Sequence, residues 1–302
     1  MKALLVNENG SLDNLKIENV PIPKIASNQI LVKVKACGIN PVDWKGIIMN
    51  FFQTPYIVGT DISGIVENVG TEVTHYEVGD EVIGSLEWAK QGAFAEYVET
   101  QEKYLAFKPK NLTFEEAAAL PLAGLTAWQG LFDKLELQAG QKILIQAAAG
   151  GVGLFAVQFA KWKGAYVVAV ASEKNEAFLK SFGADEVLNY KTINFSKIAK
   201  DFDAVFDSMA SAEQTMQIIK KGGKYVSLTA NPPDELAKSY CITATNLLFQ
   251  SNAQQLKEIV NLVEQKKVKI TIDKTFSLSD AIDALEYQKL GHSKGKNILT
   301  VK

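Results

Sequence analysis

The feature that most constrains this chain is an apolar strand that leads into a glycine-rich turn and then into a helix. Residues 142–153 read KILIQAAAGGVG, and the apolar side chains of residues 154–163 recur at helical spacing. A second apolar run at residues 166–171 follows at the distance expected within one strand-helix-strand unit. Further strand-like and helix-like runs alternate as far as residue 230. This alternation predicts a doubly wound parallel sheet.

The glycine-rich turn, residues 147–153 and called the glycine loop below, fits the pattern of a dinucleotide-binding Rossmann fold. Ala148, Gly150 and Gly153 take its three glycine positions, with Ala148 in place of the first glycine. The pattern requires a tight turn, an approach to the pyrophosphate without a side chain, and close packing of helix on strand. Together with Gly151 and Val152, these residues are predicted to bind a pyrophosphate at the helix N-terminus. The alternative is a strand-turn-helix unit that binds no ligand.

The residues that follow the second strand indicate which dinucleotide is bound. An Asp or Glu at the strand end favours NAD, because it binds the ribose 2'-hydroxyl and repels a 2'-phosphate. Here the strand ends at Ala171, with Ser172 and Lys174 close behind. A hydroxyl and an ammonium favour NADPH, although Glu173 would oppose it if its carboxylate turned toward the ribose. The alternative interpretation of Lys174 is a solvated lysine at a helix start.

The composition excludes several classes of protein. The 302 residues are 47% hydrophobic, enough for one large core or two medium ones. A net charge of -2 provides no bulk attraction for nucleic acid or an anionic membrane. All 32 basic residues are lysine, so lysine, hydroxyl and backbone N–H groups must hold any bound phosphate. Two Cys and two His exclude a four-cysteine zinc lobe and a disulfide framework.

Nothing in the sequence predicts secretion or a membrane span. The N-terminal segment lacks a signal-peptide pattern, and the longest apolar runs fall short of the ~20 residues that cross a bilayer. Cys37 and Cys241 follow no paired spacing. We therefore expect a cytoplasmic protein with neither a membrane nor a nucleic-acid partner.

Residues 1–110 predict a β-rich lobe. Short alternating or β-branched runs recur between turn residues, and the clearest are ILVKVKACGIN, SGIVENVG, GDEVIG and FAEYVET. Beyond residue 110, Asn111 and Thr113 are candidate caps for helical segments that break at Pro121. The C-terminal part predicts helices over 253–267 and 278–289 and a closing strand over 297–301.

Several segments occur in an order that carries a family likeness. They are CGINPVDWK at 37–45, VGTDISG at 58–64, LPLAGLTAW at 120–128 and AAAGGVG at 147–153. In these motifs the chain resembles the medium-chain dehydrogenase/reductase superfamily. Within it, the chain is similar to the zinc-free quinone oxidoreductase (zeta-crystallin-like) branch, which also includes enone and alkenal reductases. The likeness covers essentially the whole chain.

The resemblance implies an α/β protein with a GroES-like β-rich catalytic domain over residues 1–115, completed by 266–302, and a Rossmann NADP-binding domain over 116–265. It implies that Asn40 lies beside the nicotinamide of NADPH and that Thr126 contacts the cofactor. It adds Tyr190 to Ser172 and Lys174 near the 2'-phosphate. It also implies a homodimer formed through an edge of the Rossmann sheet.

The positions that hold catalytic zinc in the alcohol dehydrogenases of this superfamily align with Asn40, Thr60 and a residue near Ala123. None carries a thiolate or an imidazole, so the resemblance predicts no metal. Without a Lewis acid, alcohol oxidation is disfavoured, and acceptors activated by conjugation are favoured. Cys37 is then expected to be a small buried hydrophobic residue, and His75 and His292 to be surface residues.

Lys45 stands where many relatives have a tyrosine. It could donate a hydrogen bond to a substrate carbonyl, or pair with Asp43 or Asp61, and the pairing is the preferred interpretation. The aromatic residues that could line a pocket for a flat substrate, or equally belong to the core, are Phe51, Phe52, Tyr56 and Trp88.

The function expected from these residues is NADPH-dependent hydride transfer to a quinone or another conjugated carbonyl acceptor, a small-molecule substrate. Two alternatives stay open. One is an enone or alkenal double-bond reductase of the same fold, and the other is a non-catalytic NADPH-binding redox sensor. Rates with quinones and alkenals separate the first two, whereas tight NADPH binding without turnover supports the third.

Overall fold

The structure is a computed structural model that describes residues 1–87, 90, 92–198 and 200–302. In chain order, the elements before the glycine loop are β1 (Lys2–Val6), β2 (Leu15–Asn19), β3 (Ile30–Ile39), α1 (Pro41–Ile48), β4 (Tyr56–Ile57), β5 (Asp61–Val69), β6 (Glu81–Ser85), β7 (Tyr97–Thr100), β8 (Leu105–Phe107), α2 (Phe114–Ala118), α3 (Pro121–Trp128) and β9 (Lys142–Ile145). Those that follow are α4 (Gly151–Lys163), β10 (Tyr166–Ala171), α5 (Glu176–Ser181), β11 (Glu186–Asn189), β12 (Phe202–Asp207), α6 (Ala212–Thr215), β13 (Ile219–Ser227), α7 (Asp234–Ser239), β14 (Thr243–Asn246), α8 (Ala253–Glu264), β15 (Ile272–Ser277), α9 (Ala281–Lys289) and β16 (Lys296–Thr300).

The chain divides into two compact units. Unit 1 contains Met1–Leu125 and Gln250–Lys302, and unit 2 contains Thr126–Phe249. The domain boundaries predicted from the sequence, 115/116 and 265/266, differ from these divisions. The reason is packing, because α2 contacts β3 and β5, and α8 contacts β8, so both helices belong with the β-rich unit.

Unit 1 contains two sheets. The larger has the order β15-β16-β3-β5-β6-β8, with β7 also paired to β3, and the smaller has the order β2-β1-β4. β3 is the centre of the larger sheet, and its sequence ILVKVKACGI is buried at most positions. The closing strand β16 runs antiparallel to β3, with Asn297 opposite Ile39. The last strand of the chain therefore lies beside the end of β3.

Unit 2 is built on one parallel sheet of six strands, in the order β11-β10-β9-β12-β13-β14. In chain order this is 3-2-1-4-5-6, the arrangement of a doubly wound nucleotide-binding fold. The predicted parallel sheet is confirmed. The order reverses between β9 and β12, so the carboxyl ends of these two strands are where such folds bind ligands.

Local sequence accounts for most of the element boundaries. Thr113 caps α2 through a hydrogen bond from the Glu116 backbone, and α3 begins at Pro121, as the sequence predicts. The helix α6 is short: a 3-10 turn at Met216–Ile218 follows it, and β13 begins at Ile219. Within the described residues, no helix is both long and apolar enough to span a membrane.

Candidate functional site

The glycine loop joins β9 to α4 and has the geometry that a pyrophosphate site requires. Ala147 has a positive φ of 46°, and the N–H of Ala148 donates to the carbonyl of Val170 at 3.1 Å. A Cβ at position 153 would overlap the carbonyl oxygen of Ala147 and lie 2.7 Å from the Cα of Ala148. Gly153 therefore lets α4 pack directly against the turn, which is the role predicted for the third glycine.

Gly150 and the first turn of α4 leave room for a ligand. Apart from its chain neighbours, a Cβ at position 150 would approach one atom of the described residues, the Ala147 carbonyl oxygen at 3.4 Å, so a side chain there would fill otherwise open space. The first helical hydrogen bond runs from the N–H of Leu154 to Gly150 at 2.9 Å, so the preceding amides have no partner within the helix. Gly151, Val152 and Gly153 carry these amides, and the loop fits a bound dinucleotide pyrophosphate.

The residues predicted to hold a 2'-phosphate lie at the carboxyl ends of two adjacent parallel strands. Ser172 follows β10, and Tyr190 follows β11, where its N–H donates to the Ala171 carbonyl at 3.1 Å. Lys174 lies in the 3-10 turn Glu173–Asn175 after β10 and is exposed, as is Tyr190. No carboxylate partner is found for Lys174 among the described side chains. The structure thus places Ser172, Lys174 and Tyr190 at the end of the same strand pair.

A second polar cluster at the carboxyl end of β12 was missed by the sequence analysis. Buried Asp207 accepts hydrogen bonds from the N–H of Met209 and the N–H of Ser211, both at 2.6 Å. It also accepts from the hydroxyls of Ser211, at 3.0 Å, and Tyr225. The amide of Gln146, beside the glycine loop, donates to the Ser211 hydroxyl at 3.0 Å. Asp207 therefore fixes the β12 turn next to the glycine loop.

Thr126 belongs to the same unit as the glycine loop. It is buried in α3, which a π-helical segment at Gln129–Lys134 follows. Its predicted contact with a cofactor stays a prediction.

In unit 1, Asn40 is held by buried charged groups. It follows β3 and is the cap residue of α1, and its own side chain is buried. Nδ2 donates to Oδ2 of Asp61 at 2.9 Å, while Oδ1 accepts from Nζ of Lys296. The backbone N–H of Asn40 donates to Oδ2 of Asp43 at 2.7 Å. Asn40, Asp43, Asp61 and Lys296 are called the buried cluster below.

The sheet register brings the members of the buried cluster together. Asp61 begins β5 opposite Gly38 of β3, and a Cβ at position 38 would overlap the carbonyl oxygen of Ala118. Lys296 begins β16 and also donates to the carbonyl of Ile39 at 2.8 Å. Sequence reasoning missed Lys296, because its only signal is one lysine before an apolar strand, and its partner is identified only through strand pairing.

Burial dominates the electrostatics of the cluster. It raises the pKa of Asp61 to about 6, although Lys296 and the hydrogen bonds from Asn40 and Leu122 oppose the rise. Burial also raises the pKa of Asp43 to about 8, where the Asn40 N–H opposes the rise and the charge of Asp61 adds to it. The pKa of Lys296 is lowered by burial, against the attraction of Asp61 and Asp43. Folding therefore removes the ionisable side chains of Asp43, Asp61 and Lys296 from water, to which the unfolded chain would expose them.

The preferred interpretation of Lys45 is wrong. The cation beside Asp61 is Lys296, whose Nζ lies 3.9 Å from Oδ2. Lys45 is half-buried on α1, and its ammonium lies 5.6 Å from the centroid of the Trp44 ring. No ion pair to Lys45 occurs within the described residues, because the strand pairing delivers Lys296 to the carboxylates instead. The Lys45 ammonium therefore forms no ion pair with a structural carboxylate among the described residues.

The aromatic residues after α1 form a group next to Lys45 in the chain. The rings of Phe52 and Tyr56 lie 5.3 Å apart between centroids, and those of Phe51 and Phe52 6.4 Å apart. Phe51 is exposed, whereas Phe52 and Tyr56 are half-buried. Trp88 lies outside the described residues. The exposed Phe51 is thus available to a ligand.

The positions aligned with zinc ligands carry other groups. Thr60 Oγ1 lies 3.5 Å from Nδ2 of Asn40, and Ala123 is buried and apolar. The Cys37 thiol donates to the Ala93 carbonyl at 2.9 Å, and burial raises its pKa. Across the described part of the chain, no three His, Cys, Asp or Glu side chains converge as a metal site would require. That the reaction needs no zinc stays a prediction.

Two protein families match the chain. The alcohol dehydrogenase GroES-like domain matches residues 26–110, and the zinc-binding dehydrogenase family matches residues 182–299. The first range lies within unit 1, and the second covers part of unit 2 and most of the C-terminal segment.

Curated relatives and solved structures are similar over almost the whole chain. The 2-methylene-furan-3-one reductase of Solanum lycopersicum is 38% identical over 99% of this chain and 79% of its own length. The NADPH-dependent alkenal/one oxidoreductase of Arabidopsis thaliana is 37% identical over the same shares. The quinone oxidoreductase of Coxiella burnetii has a TM-score of 0.92 at 35% identity, over 100% of this chain and 99% of that one.

Proposed function

Because the chain belongs to the quinone oxidoreductase branch of the medium-chain dehydrogenase/reductase superfamily, we propose that it is an NADPH-dependent oxidoreductase that transfers hydride to a quinone or another conjugated carbonyl acceptor. One observation carries the proposal. The glycine loop and the Ser172, Lys174 and Tyr190 group lie on successive strands of one sheet, where a dinucleotide and its 2'-phosphate bind.

Each part of the cofactor has a matching group. The amides of Gly151, Val152 and Gly153 hold the pyrophosphate, with Gly150 and Ala148 forming the floor of the loop. Lys174, Ser172 and Tyr190 hold the 2'-phosphate, because this chain has no arginine to do so. When bound, the nicotinamide supplies the hydride.

The acceptor is stabilised through Lys45. Its Nζ donates a hydrogen bond to the carbonyl oxygen on which negative charge develops, which is where a fixed donor lowers the barrier most. The lack of a carboxylate partner among the described residues favours this role over a structural one. Conjugation spreads the charge that hydride addition creates, and water supplies the proton that completes the reduction.

A second candidate function is reduction of the carbon-carbon double bond of an enone or alkenal. The activities named for the two relatives at 38% and 37% identity favour it, since one is a 2-methylene-furan-3-one reductase and the other an alkenal/one oxidoreductase. The same cofactor site serves both candidates. They differ in whether the acceptor is a quinone or an enone or alkenal whose carbon-carbon double bond is reduced.

Dissociation constants of NADPH and NADH test the cofactor assignment. We expect the wild type to bind NADPH at least tenfold more tightly, and Lys174→Ala to lose most of that preference. Lys180→Ala removes an exposed lysine from α5 of the same unit and should leave the preference unchanged. Equal binding of NADH by the wild type, or full preference in Lys174→Ala, contradicts the assignment.

Steady-state rates with matched panels of quinones and alkenals test the acceptor. A higher kcat/KM for quinones supports the first candidate, and a higher value for alkenals with a saturated carbonyl product supports the second. Oxidation of NADPH by neither panel overturns both.

We also propose that the reaction is independent of zinc, since Asn40, Thr60 and Ala123 provide no thiolate or imidazole. Dialysis against a chelator should leave the rate unchanged, and a loss restored by zinc would contradict this. A homodimer through the edge strand β14 and a cytoplasmic location are further proposals, tested by light scattering and by cell fractionation.

A further inference from the structure

The side-chain amide of Asn40 is held at both polar ends. Lys296 Nζ donates to Oδ1, and Nδ2 donates to Oδ2 of Asp61 at 2.9 Å. An asparagine amide has nearly the same shape after a flip that exchanges oxygen and nitrogen. Here the flip is forbidden, because the lysine presents only donors and the carboxylate only acceptors. The two charged residues thus select one orientation.

One N–H of the Asn40 amide is left with weak contacts. Nδ2 carries two hydrogens, and the 2.9 Å bond to Asp61 uses one. Among the described residues, the other is offered only the Gly38 carbonyl at 3.4 Å and the Thr60 hydroxyl at 3.5 Å, both long for a hydrogen bond. A donor on Oδ1 also polarises the amide and strengthens this second N–H as a donor.

Burial of Lys296 is costly, and among the described residues only the Ile39 carbonyl and two members of the buried cluster contact its ammonium. Its Nζ contacts the Ile39 carbonyl, Oδ1 of Asn40 and, at 3.9 Å, Oδ2 of Asp61. An apolar residue at the start of β16 would avoid the desolvation of an ammonium. The lysine at this position is therefore better explained by its hydrogen bond to Asn40 than by a contribution to the stability of the fold.

We propose that Lys296 is a positioning residue for the hydride-transfer reaction, which holds the Asn40 amide so that its second N–H donates to a carbonyl oxygen of the bound reactants. This inference rests on the proposed function and on the position beside the nicotinamide that the family resemblance implies for Asn40. The carbonyl belongs either to the nicotinamide carboxamide or to the acceptor. Asp61 holds the other end of the amide.

Single-turnover hydride transfer tests the proposal in full-length protein. Lys296→Met should slow the transfer roughly tenfold to a hundredfold, the size expected for loss of one charge-assisted positioning contact. Lys302→Met, the same change at the exposed end of this segment, should have no effect. A raised dissociation constant for NADPH assigns the carbonyl to the carboxamide, and an unchanged one assigns it to the acceptor.

A double-mutant cycle separates positioning from a general structural role. If Lys296 acts through Asn40, then Lys296→Met has no further effect on the transfer rate in the Asn40→Ala background. Equal fractional losses in both backgrounds overturn the proposal. Should Lys296→Met fold poorly, the charge-balanced pair Lys296→Met with Asp61→Asn replaces it, and the same slowing is expected.

The side-chain amide resonances of Asn40 provide a readout that does not depend on turnover. They are assigned by their loss in Asn40→Ala, and they should shift in Lys296→Met but not in Lys302→Met. If the wild type reduces no acceptor, the proposed function fails, while these resonances still decide whether Lys296 positions the amide. Unchanged resonances in Lys296→Met of an active enzyme overturn the positioning role alone.

Discussion

Nζ of Lys296 lies 3.9 Å from Oδ2 of Asp61, and both side chains are buried in unit 1. The two residues are separated by most of the chain, and the antiparallel pairing of β16 and β5 with β3 brings them together. The contact is too long for a direct hydrogen bond, and the Asn40 amide bridges the two charges. The Asn40 amide therefore links the two charged side chains, and these side chains in turn hold the amide in place.

Removal of one partner should be more damaging than removal of both. We expect Lys296→Met to lower the free energy of unfolding by about 3 kcal/mol, because it leaves Asp61 buried without its cation. In the double variant with Asp61→Asn, the loss should be smaller than in Lys296→Met alone. Chemical denaturation measures the wild type, the single variants Lys296→Met and Asp61→Asn, and the double variant. Additive losses in the double variant would show that the two charges do not interact.

The raised pKa values of Asp43 and Asp61 predict that stability falls as pH rises. Between the ordinary value of 3.8 and the folded values of about 8 and about 6, the folded state holds protons that the unfolded state has released. Each such proton gives a slope of about -1.4 kcal/mol per pH unit. The stabilisation is complete below pH 3.8 and is lost by about pH 8 for Asp43. The lowered pKa of Lys296 acts in the opposite sense at higher pH.

Asp43→Asn isolates this effect. The amide oxygen still accepts from the Asn40 N–H, but the residue no longer titrates. The free energy of unfolding of the variant, measured from pH 5 to 7, should fall less steeply with pH than that of the wild type. Identical slopes would show that Asp43 does not take up a proton on folding.

Substitution by alanine is expected to lower the stability of unit 2 at Gly153 and to weaken NADPH binding at Gly150. Gly153→Ala should destabilise unit 2 by about 2 kcal/mol or more, because the new Cβ overlaps the Ala147 carbonyl. Gly150→Ala should keep its stability within about 0.5 kcal/mol, since the nearest atom to its Cβ is 3.4 Å away. It should nevertheless weaken NADPH binding roughly tenfold, because the methyl group fills the ligand's space. Calorimetry measures both quantities, and unimpaired binding in Gly150→Ala would contradict the assignment.

The sequence predicted unit 2 better than unit 1, for a physical reason. The glycine loop, its strands and the residues after β10 lie within one continuous stretch, so local pattern and spacing identify them. The buried cluster is assembled from three distant segments, and only sheet register reveals that Lys296 reaches Asn40. The sequence favours a pair of Lys45 with Asp43 or Asp61, because structural ion pairs are more common than catalytic lysines, whereas the structure places the distant residue Lys296 beside Asp61.

Asp207 shows the same difference between local contacts and contacts made through strand pairing within unit 2. Its bonds to Met209 and Ser211 are local, and the Asp-Ser sequence at a strand end is compatible with such a turn. The bond from Tyr225 depends on the parallel pairing of β12 with β13, which the sequence does not specify residue by residue. The hydrogen bonds from Met209 and Ser211 to Asp207 were thus predictable in principle, and the bond from Tyr225 was not.

Asp207→Asn should destabilise unit 2 by about 2 kcal/mol or more. The wild-type carboxylate accepts from four donors, and the amide of the variant has one acceptor oxygen and adds donors of its own. Tyr225→Phe removes a single donor and should cost only about 1 kcal/mol. Chemical denaturation of both variants tests whether the loss of stability is larger in Asp207→Asn than in Tyr225→Phe. A larger loss in Tyr225→Phe would show that packing, and not the Asp207 carboxylate, holds the turn.

Lys45→Met should lower kcat/KM for the acceptor roughly tenfold to a hundredfold, because the acceptor oxygen loses a charged donor as it becomes negative. The dissociation constant of NADPH should not change, since Lys45 is not among the residues assigned to the cofactor. Lys33→Met, the same change at an exposed position of β3, is the matched control and should leave both quantities unchanged. Full kcat/KM in Lys45→Met would show that no charge is needed there, and the carbonyl oxygen would then have to be stabilised by another donor.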